Sequence, residues 1–135
     1  MDKKPYEINL TLNVLVTDED IDDIMVGALE GGINYWCGEA EVVGDKYLGE
    51  FASEQISRGG ELRLYDCESD DSWVIDKEKI LKGIQKWLEW VAKYENLNRA
   101  FYHEKNCIRL DCCNIDGRDC DKIVQYAAMG ELVFG

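Results

Sequence analysis

The sequence predicts an α+β fold: an antiparallel or mixed sheet of about five strands, covered on one face by one long helix and two shorter ones. Three observations carry that expectation. Apolar residues alternate with period two at Ile8, Leu10, Leu12, Val14 and Val16, the mark of a half-buried strand. Between Lys77 and Tyr94 they recur with helical spacing instead. Glu68–Asp71 is a polar loop between two short strand-like runs, as in a hairpin.

Taken in order, Ile8–Val16 is the first strand. Thr17 then offers an N-cap and Asp20, three positions on, completes a capping-box pattern. Asp18, Glu19 and Asp20 occupy the first turn, where a helix N-terminus favours negative charge. Ile21, Ile24, Met25, Ala28 and Leu29 follow at helical spacing until Gly31-Gly32 stops the helix. Ile33–Val43 reads as a strand around Tyr35-Trp36-Cys37, with a turn at Gly44-Asp45 and a short helical stretch near Phe51–Ser57. Leu62 and Leu64 alternate within Glu61–Asp66, and Ser72–Ile75 is the returning strand.

Asp76 can cap a long helix from about Lys77 to Tyr94. At 100° per residue, Ile80, Leu81, Ile84, Trp87, Leu88 and Val91 gather on one face. Lys79, Lys82, Lys86 and Lys93 form a stripe nearly opposite, with Gly83 and Trp90 beside it. A polar stretch covers Asn96–Asn106. The last helix runs from about Arg118 to Met129 under an Asp116 cap; Gly130 ends it, and Glu131–Phe134 reads as a final strand. The end of the chain repeats, in spacing, the Asp22–Ile33 segment. A capped helix, a glycine stop and an apolar run give that match without duplication.

The 135 residues form one domain, 1–135, with 46% hydrophobic residues and four Trp, enough for a packed core. No uncharged apolar run approaches the ~18 residues of a membrane span. The N-terminal Lys3-Lys4-Pro5 has no apolar core behind it, so a secretory signal is not expected. The chain reads as cytoplasmic, and its six cysteines as reduced thiols. The triplet Asn9-Leu10-Thr11 matches a glycosylation sequon by chance.

Chemistry-bearing patterns are few. His103 with Cys107, Cys112, Cys113 and Cys120 supplies soft ligands, but without C-x-x-C spacing, and buried apolar thiols explain the cysteines more simply. Neither a metal nor another cofactor is expected. Phosphate loops, a G-x-S-x-G elbow and a calcium loop are absent from the sequence. With one imidazole and no second half of a triad in view, a non-enzymatic role is expected.

Charge is the stronger signal. Residues 1–75 hold 18 acids and 5 bases, whereas residues 76–135 hold 10 of each, so the net charge of −13 lies entirely in the first half. Caps account for Asp18–Asp20 and Asp76. Asp22, Asp23, Glu68, Asp70 and Asp71 are left as candidate contacts for a basic partner. Direct nucleic-acid binding is disfavoured, since it needs cations against phosphates. Trp90, off the buried face, is a candidate contact as well, or else packs under the C-terminal helix.

Several stretches carry a resemblance. Asp20–Asp23, Ala28-Leu29-Glu30-Gly31-Gly32-Ile33-Asn34-Tyr35-Trp36-Cys37, Val42–Asp45, Tyr47–Glu50, Ala52–Leu62 and Ile123–Phe134 are similar to a family of small acidic proteins encoded by phages and prophages of Gram-positive gut bacteria. The resemblance covers roughly residues 18–82 and 115–134, and the Cys107–Cys120 stretch is not part of its pattern. It brings no assigned activity, so no catalytic residue carries over. It implies a phage context, in which small acidic proteins include inhibitors of host defence that imitate the charge of DNA.

The expected function is therefore an acidic, phage-type interaction protein that docks on a basic surface of a host protein, in the host cytoplasm. Two alternatives stand beside it. One is a homo-oligomeric module in which acids of one copy meet Lys79, Lys82, Lys86 and Lys93 of another. The other is a small metal protein or enzyme built on His103 and the nearby cysteines.

Overall fold

The computed structural model describes residues 3–135. In chain order its main elements are β1 (Val14–Leu15), α1 (Asp18–Gly27), β2 (Cys37–Val42), β3 (Leu62–Asp66), β4 (Ser72–Ile75), α2 (Lys77–Tyr94), β5 (Phe101–Glu104), β6 (Cys107–Leu110) and α3 (Gly117–Met129). The class is α+β as expected, but the strands divide into two three-stranded sheets rather than one sheet of five. β2, β3 and β4 form an antiparallel meander. The other sheet has the order β1-β6-β5, with β1 parallel to β6 and β5 antiparallel to it. The split arises because β1 pairs with a late hairpin, which the polar composition of Asn96–Asn106 had concealed.

The helices begin where their caps place them. The Thr17 hydroxyl accepts from Asp20 N at 3.1 Å, and the Asp20 carboxylate accepts from Thr17 N at 2.9 Å. Asp76 accepts from Lys79 N at 2.9 Å to start α2. Asp116 accepts from Asp119 N at 3.0 Å to start α3. Gly130 closes α3 in the left-handed region at φ 78°, a conformation that suits glycine.

Three strand expectations are corrected. Only Val14–Leu15 of the Ile8–Val16 run is paired; residues 3–13 are exposed and carry no turn, bend or regular structure. Ile33–Trp36 is a turn, because α1 widens into a π-type turn over Ala28–Gly32 and the Ile33 N–H donates back to Ala28 O at 3.1 Å. The strand therefore starts at Cys37. Glu131–Phe134 forms no strand, because the Gln125 amide takes the place of a neighbouring chain. Its Oε1 accepts from Val133 N and Phe134 N, both at 2.9 Å, and its Nε2 donates to Phe134 O at 3.2 Å. The Phe51–Ser57 stretch shrinks to a single 3-10 turn, Ala52–Glu54.

One core collects Ile24 and Met25 from α1, Leu62 and Leu64 from β3, Ile84 and Trp87 from α2, and Ile123 and Val124 from α3. α2 lies directly on α3. The buried face of α2 is turned from the expected one, so that Leu81 is 42% exposed while Gly83 is buried. At Gly83 the two helix backbones approach closely: a Cβ there would sit 2.4 Å from Ile123 O and 3.1 Å from Ala127 N. Trp36 is buried, stacked on Phe134 with centroids 5.1 Å apart and set edge-on to Trp73 at 5.8 Å. No helix among the described residues is long and apolar enough to cross a membrane.

The start of α3 is tied to the loop after α2 by a half-buried ion pair. Arg99 donates to both Asp119 oxygens, at 2.9 and 3.1 Å. Burial alone would raise the Asp119 pKa, but the hydrogen bonds from Arg99 and from Asp116 N outweigh it and hold the carboxyl below its ordinary 3.8. A depressed carboxyl stabilises the fold above its unfolded pKa and loses that contribution as pH falls through the lower, folded value. Acid unfolding should therefore include a step below about pH 4. Asp119→Asn should remove that step, as followed by circular dichroism in an acid titration; an unchanged acid limb would contradict the assignment.

Candidate functional site

The exposed loop at the β3–β4 tip carries Glu68, Asp70 and Asp71, and Asp66 fixes its shape. The Asp66 carboxylate accepts from Glu68 N and from the Ser69 hydroxyl, each at 2.9 Å. Asp66 N donates to Asp71 O at 3.0 Å, and Asp71 N donates to Ser69 Oγ at 3.2 Å. The Glu68, Asp70 and Asp71 carboxylates thus stand in water on a preformed turn, with no ion pair among the described residues.

Asp22 and Asp23 are elsewhere. Asp22 is half-buried on α1 and accepts a short hydrogen bond from the Ser57 hydroxyl, just before the chain enters β3, while Asp23 is exposed. The five residues of β3, about 16 Å at ~3.3 Å per residue, run between this pair and the loop. The expected contact residues are therefore two separate acidic groups, and one member of the first has a structural partner.

A cleft of about 600 Å³ opens between the π-type turn and the start of α3, lined by Glu30, Gly31, Tyr35, Asp116, Arg118 and Asp121 among others. Its floor is a buried carboxylate that the sequence reading missed. Asp121, 9% exposed, accepts from the Tyr35 hydroxyl at 2.6 Å, Trp36 Nε1 at 2.8 Å and Gln125 Nε2 at 2.9 Å. All three donors are neutral, so the negative charge is solvated by hydrogen bonds rather than by a cation. Burial, followed by the Asp121 hydrogen bond and charge, pushes the Tyr35 hydroxyl up to about 12. Tyr35 also joins the cleft to the acidic loop, since its carbonyl accepts from the Cys67 thiol at 3.6 Å, next to Glu68. A signal was available in the sequence: Asp121 and Gln125 stand four apart on the flank of the apolar stripe of α3.

Trp90 is half-buried. Its ring lies 5.5 Å from Tyr94, and the Lys122 ammonium from α3 sits 4.7 Å above it. It packs toward the C-terminal helix and also lines a second cleft of about 520 Å³ with Lys86, Lys93, Tyr94 and Tyr126. The lysine stripe is partly engaged at home: Lys79 Nζ donates to Val74 O and Lys86 Nζ to Gly130 O, both at 2.9 Å. The second of these places a cation at the negative end of α3.

The thiols and His103 stay apart. His103 is exposed on β5 and meets Phe101 edge-on at 5.8 Å. Cys107 donates to Glu104 O, Cys112 to the Asp20 carboxylate, and Cys120 is buried against Gly27. Among the described residues no three His, Cys, Asp or Glu side chains converge in a way that would hold a metal ion. Burial, with nearby carboxylates adding, raises the Cys112 thiol and pushes Cys120 up to about 12, which disfavours the nucleophilic thiolate at neutral pH. No protein-family model, curated protein or solved structure matches the chain.

Proposed function

We propose that the protein is a non-enzymatic interaction module whose acidic half docks on a basic surface of a host protein. One observation carries this reading: folding does not neutralise the charge asymmetry. Among the described residues, only the Lys77–Asp18 ion pair, at 3.1 Å, joins the two halves of the chain. Arg99 and Arg109 serve acids of their own half, Glu95, Asp119 and Glu104, and Arg58 serves Glu54. Most other acids of the first half are exposed, Asp23, Glu39 and Glu41 among them, with the fixed loop Glu68–Asp71 beside the acidic cleft at Tyr35.

Such a surface suits a partner that itself binds nucleic acid, which the acids would imitate in a manner consistent with a phage inhibitor of host defence. The stripe of Lys79, Lys82, Lys86 and Lys93 fits less well as the counterpart in a second copy, because two of its ammonium groups are already bound to backbone carbonyls.

The test is capture of partners from host cytosol, eluted by a salt gradient and identified by mass. Retention should weaken roughly tenfold or more between low and high salt, as charge-steered association does. Double-stranded DNA should compete. Replacing Glu68, Asp70 and Asp71 together by Gln, Asn and Asn should weaken capture while moving stability by no more than about 0.5 kcal/mol. Salt-insensitive capture would rule the reading out.

A further inference from the structure

The strand pattern at the N-terminus has no partner within the chain, and the register explains why. Val14 pairs with Ile108 and Leu15 with Arg109, so continuing the ladder backwards would set Leu12 against Asn106, which belongs to the β5–β6 turn. β6 begins only at Cys107, and β1 is an edge of its sheet. Tyr6, Ile8, Leu10 and Leu12 are left 100%, 82%, 78% and 43% exposed, and residues 3–12 make no hydrogen bond among the described residues. An unpaired apolar run leading into a free sheet edge is a template for another strand.

We propose that this arm pairs antiparallel with the same arm of a second copy, across a two-fold axis through Thr11. The arm is self-complementary in that register. Tyr6 then faces Val16, Ile8 faces Val14, and Leu10 faces Leu12, so the apolar residues at even positions pair with one another on one face, while Leu15 faces Glu7 on the other. On the other face Asn9 meets Asn13 and Thr11 meets Thr11, pairings that suit cross-strand hydrogen bonds. At each end Lys4 comes opposite Asp18, in the acidic first turn of α1. Shifting by one residue would set apolar side chains against polar ones. Moving the axis to Leu10 would set Lys4 against Val16 and lose the charge match.

The second copy also completes the sheet. Val14 and Val16 rest against the core, so the partner's Tyr6 and Ile8 would extend that apolar face along the free edge of β1. The two three-stranded sheets β1-β6-β5 become one continuous sheet across the dimer. Recognition is isologous: the same segment is both donor and acceptor. The pairing uses none of Glu68, Asp70 and Asp71.

Sedimentation equilibrium of the full chain over a wide concentration range tests the proposal. The expected result is a mass twice that of one chain, reduced to a single chain by Thr11→Pro and by Leu10→Lys. Both variants should keep the helical circular dichroism signal of the folded core, since both residues are exposed. Mild oxidation of the Thr11→Cys variant should join the introduced thiol of one copy to that of the other, identified by the mass of the linked peptide. Cys67 and Cys113, the exposed native thiols, serve as the internal control. A monomer at every concentration, a dimer that survives both substitutions, or an introduced thiol linked to any other position would overturn the proposal.

Discussion

Trp36→Ala is expected to lower the unfolding free energy by about 5 kcal/mol, a large share of the ~5–15 kcal/mol that holds a domain of this size. Two separate losses combine. The first is the buried ring, stacked on Phe134 and set edge-on to Trp73, whose removal leaves a cavity that the tail and β4 cannot both close. The second is the indole N–H that supports the buried Asp121 carboxylate at 2.8 Å. Hydrogen bonds to charged groups are worth roughly 1.5–3 kcal/mol, and Asp121 has no cation to fall back on. Trp36→Phe separates the terms: it keeps most of the stacking, removes the donor, and should cost about 2 kcal/mol. Urea titrations of the two variants against the parent measure both. If alanine cost no more than phenylalanine, the stacked tail would not be contributing.

Gly83→Ala should destabilise the fold by about 2–3 kcal/mol, although the same change in an isolated helix would gain about 1 kcal/mol. The sign reverses because the added carbon would lie 2.4 Å from the Ile123 carbonyl oxygen, which belongs to the backbone of α3 and moves only if the helices part. Parting them would also stretch the Lys86–Gly130 bond at the far end of the contact. Gln85→Ala, on the exposed side of the same helix, is the control and should stay within about 0.5 kcal/mol. A Gly83→Ala variant as stable as the parent in thermal melts would mean that the close approach is not maintained in solution.

What could be read from the sequence follows a physical divide. The extent of α2 was legible because eighteen positions repeat one period and Asp76 caps them, although its buried face was turned from the one the period placed. The β3–β4 hairpin was legible because Leu62 and Leu64 alternate beside a loop too polar to bury. β5 and β6 were not, since Tyr102, His103 and Glu104 are all exposed and burial leaves no alternation to detect. The N-terminal arm shows the reverse error: Ile8–Val16 has the pattern of a strand, but pattern specifies a face and does not supply a neighbour. Among the candidate contacts, the exposure of Asp70 and Asp71 followed from composition. The Asp22–Ser57 bond and the Asp121 site depend on residues 35 and 85 positions apart meeting in space, which no local window contains.

The pairing of β1 with β6 also bears on the order in which the molecule assembles. Val14 and Ile108 are 94 positions apart, and their ladder is only two residues long. Such a contact gains about 1 kcal/mol per hydrogen bond and cannot form early, because the entropy of closing so long a loop must first be met by other contacts. The α2–α3 pair and the central hairpin are its natural precursors. Amide exchange should then show Val14 and Leu15 opening well before Leu62–Asp66, at a free energy far below that of global unfolding. β1 and β6 would be the last elements to meet and the first to separate.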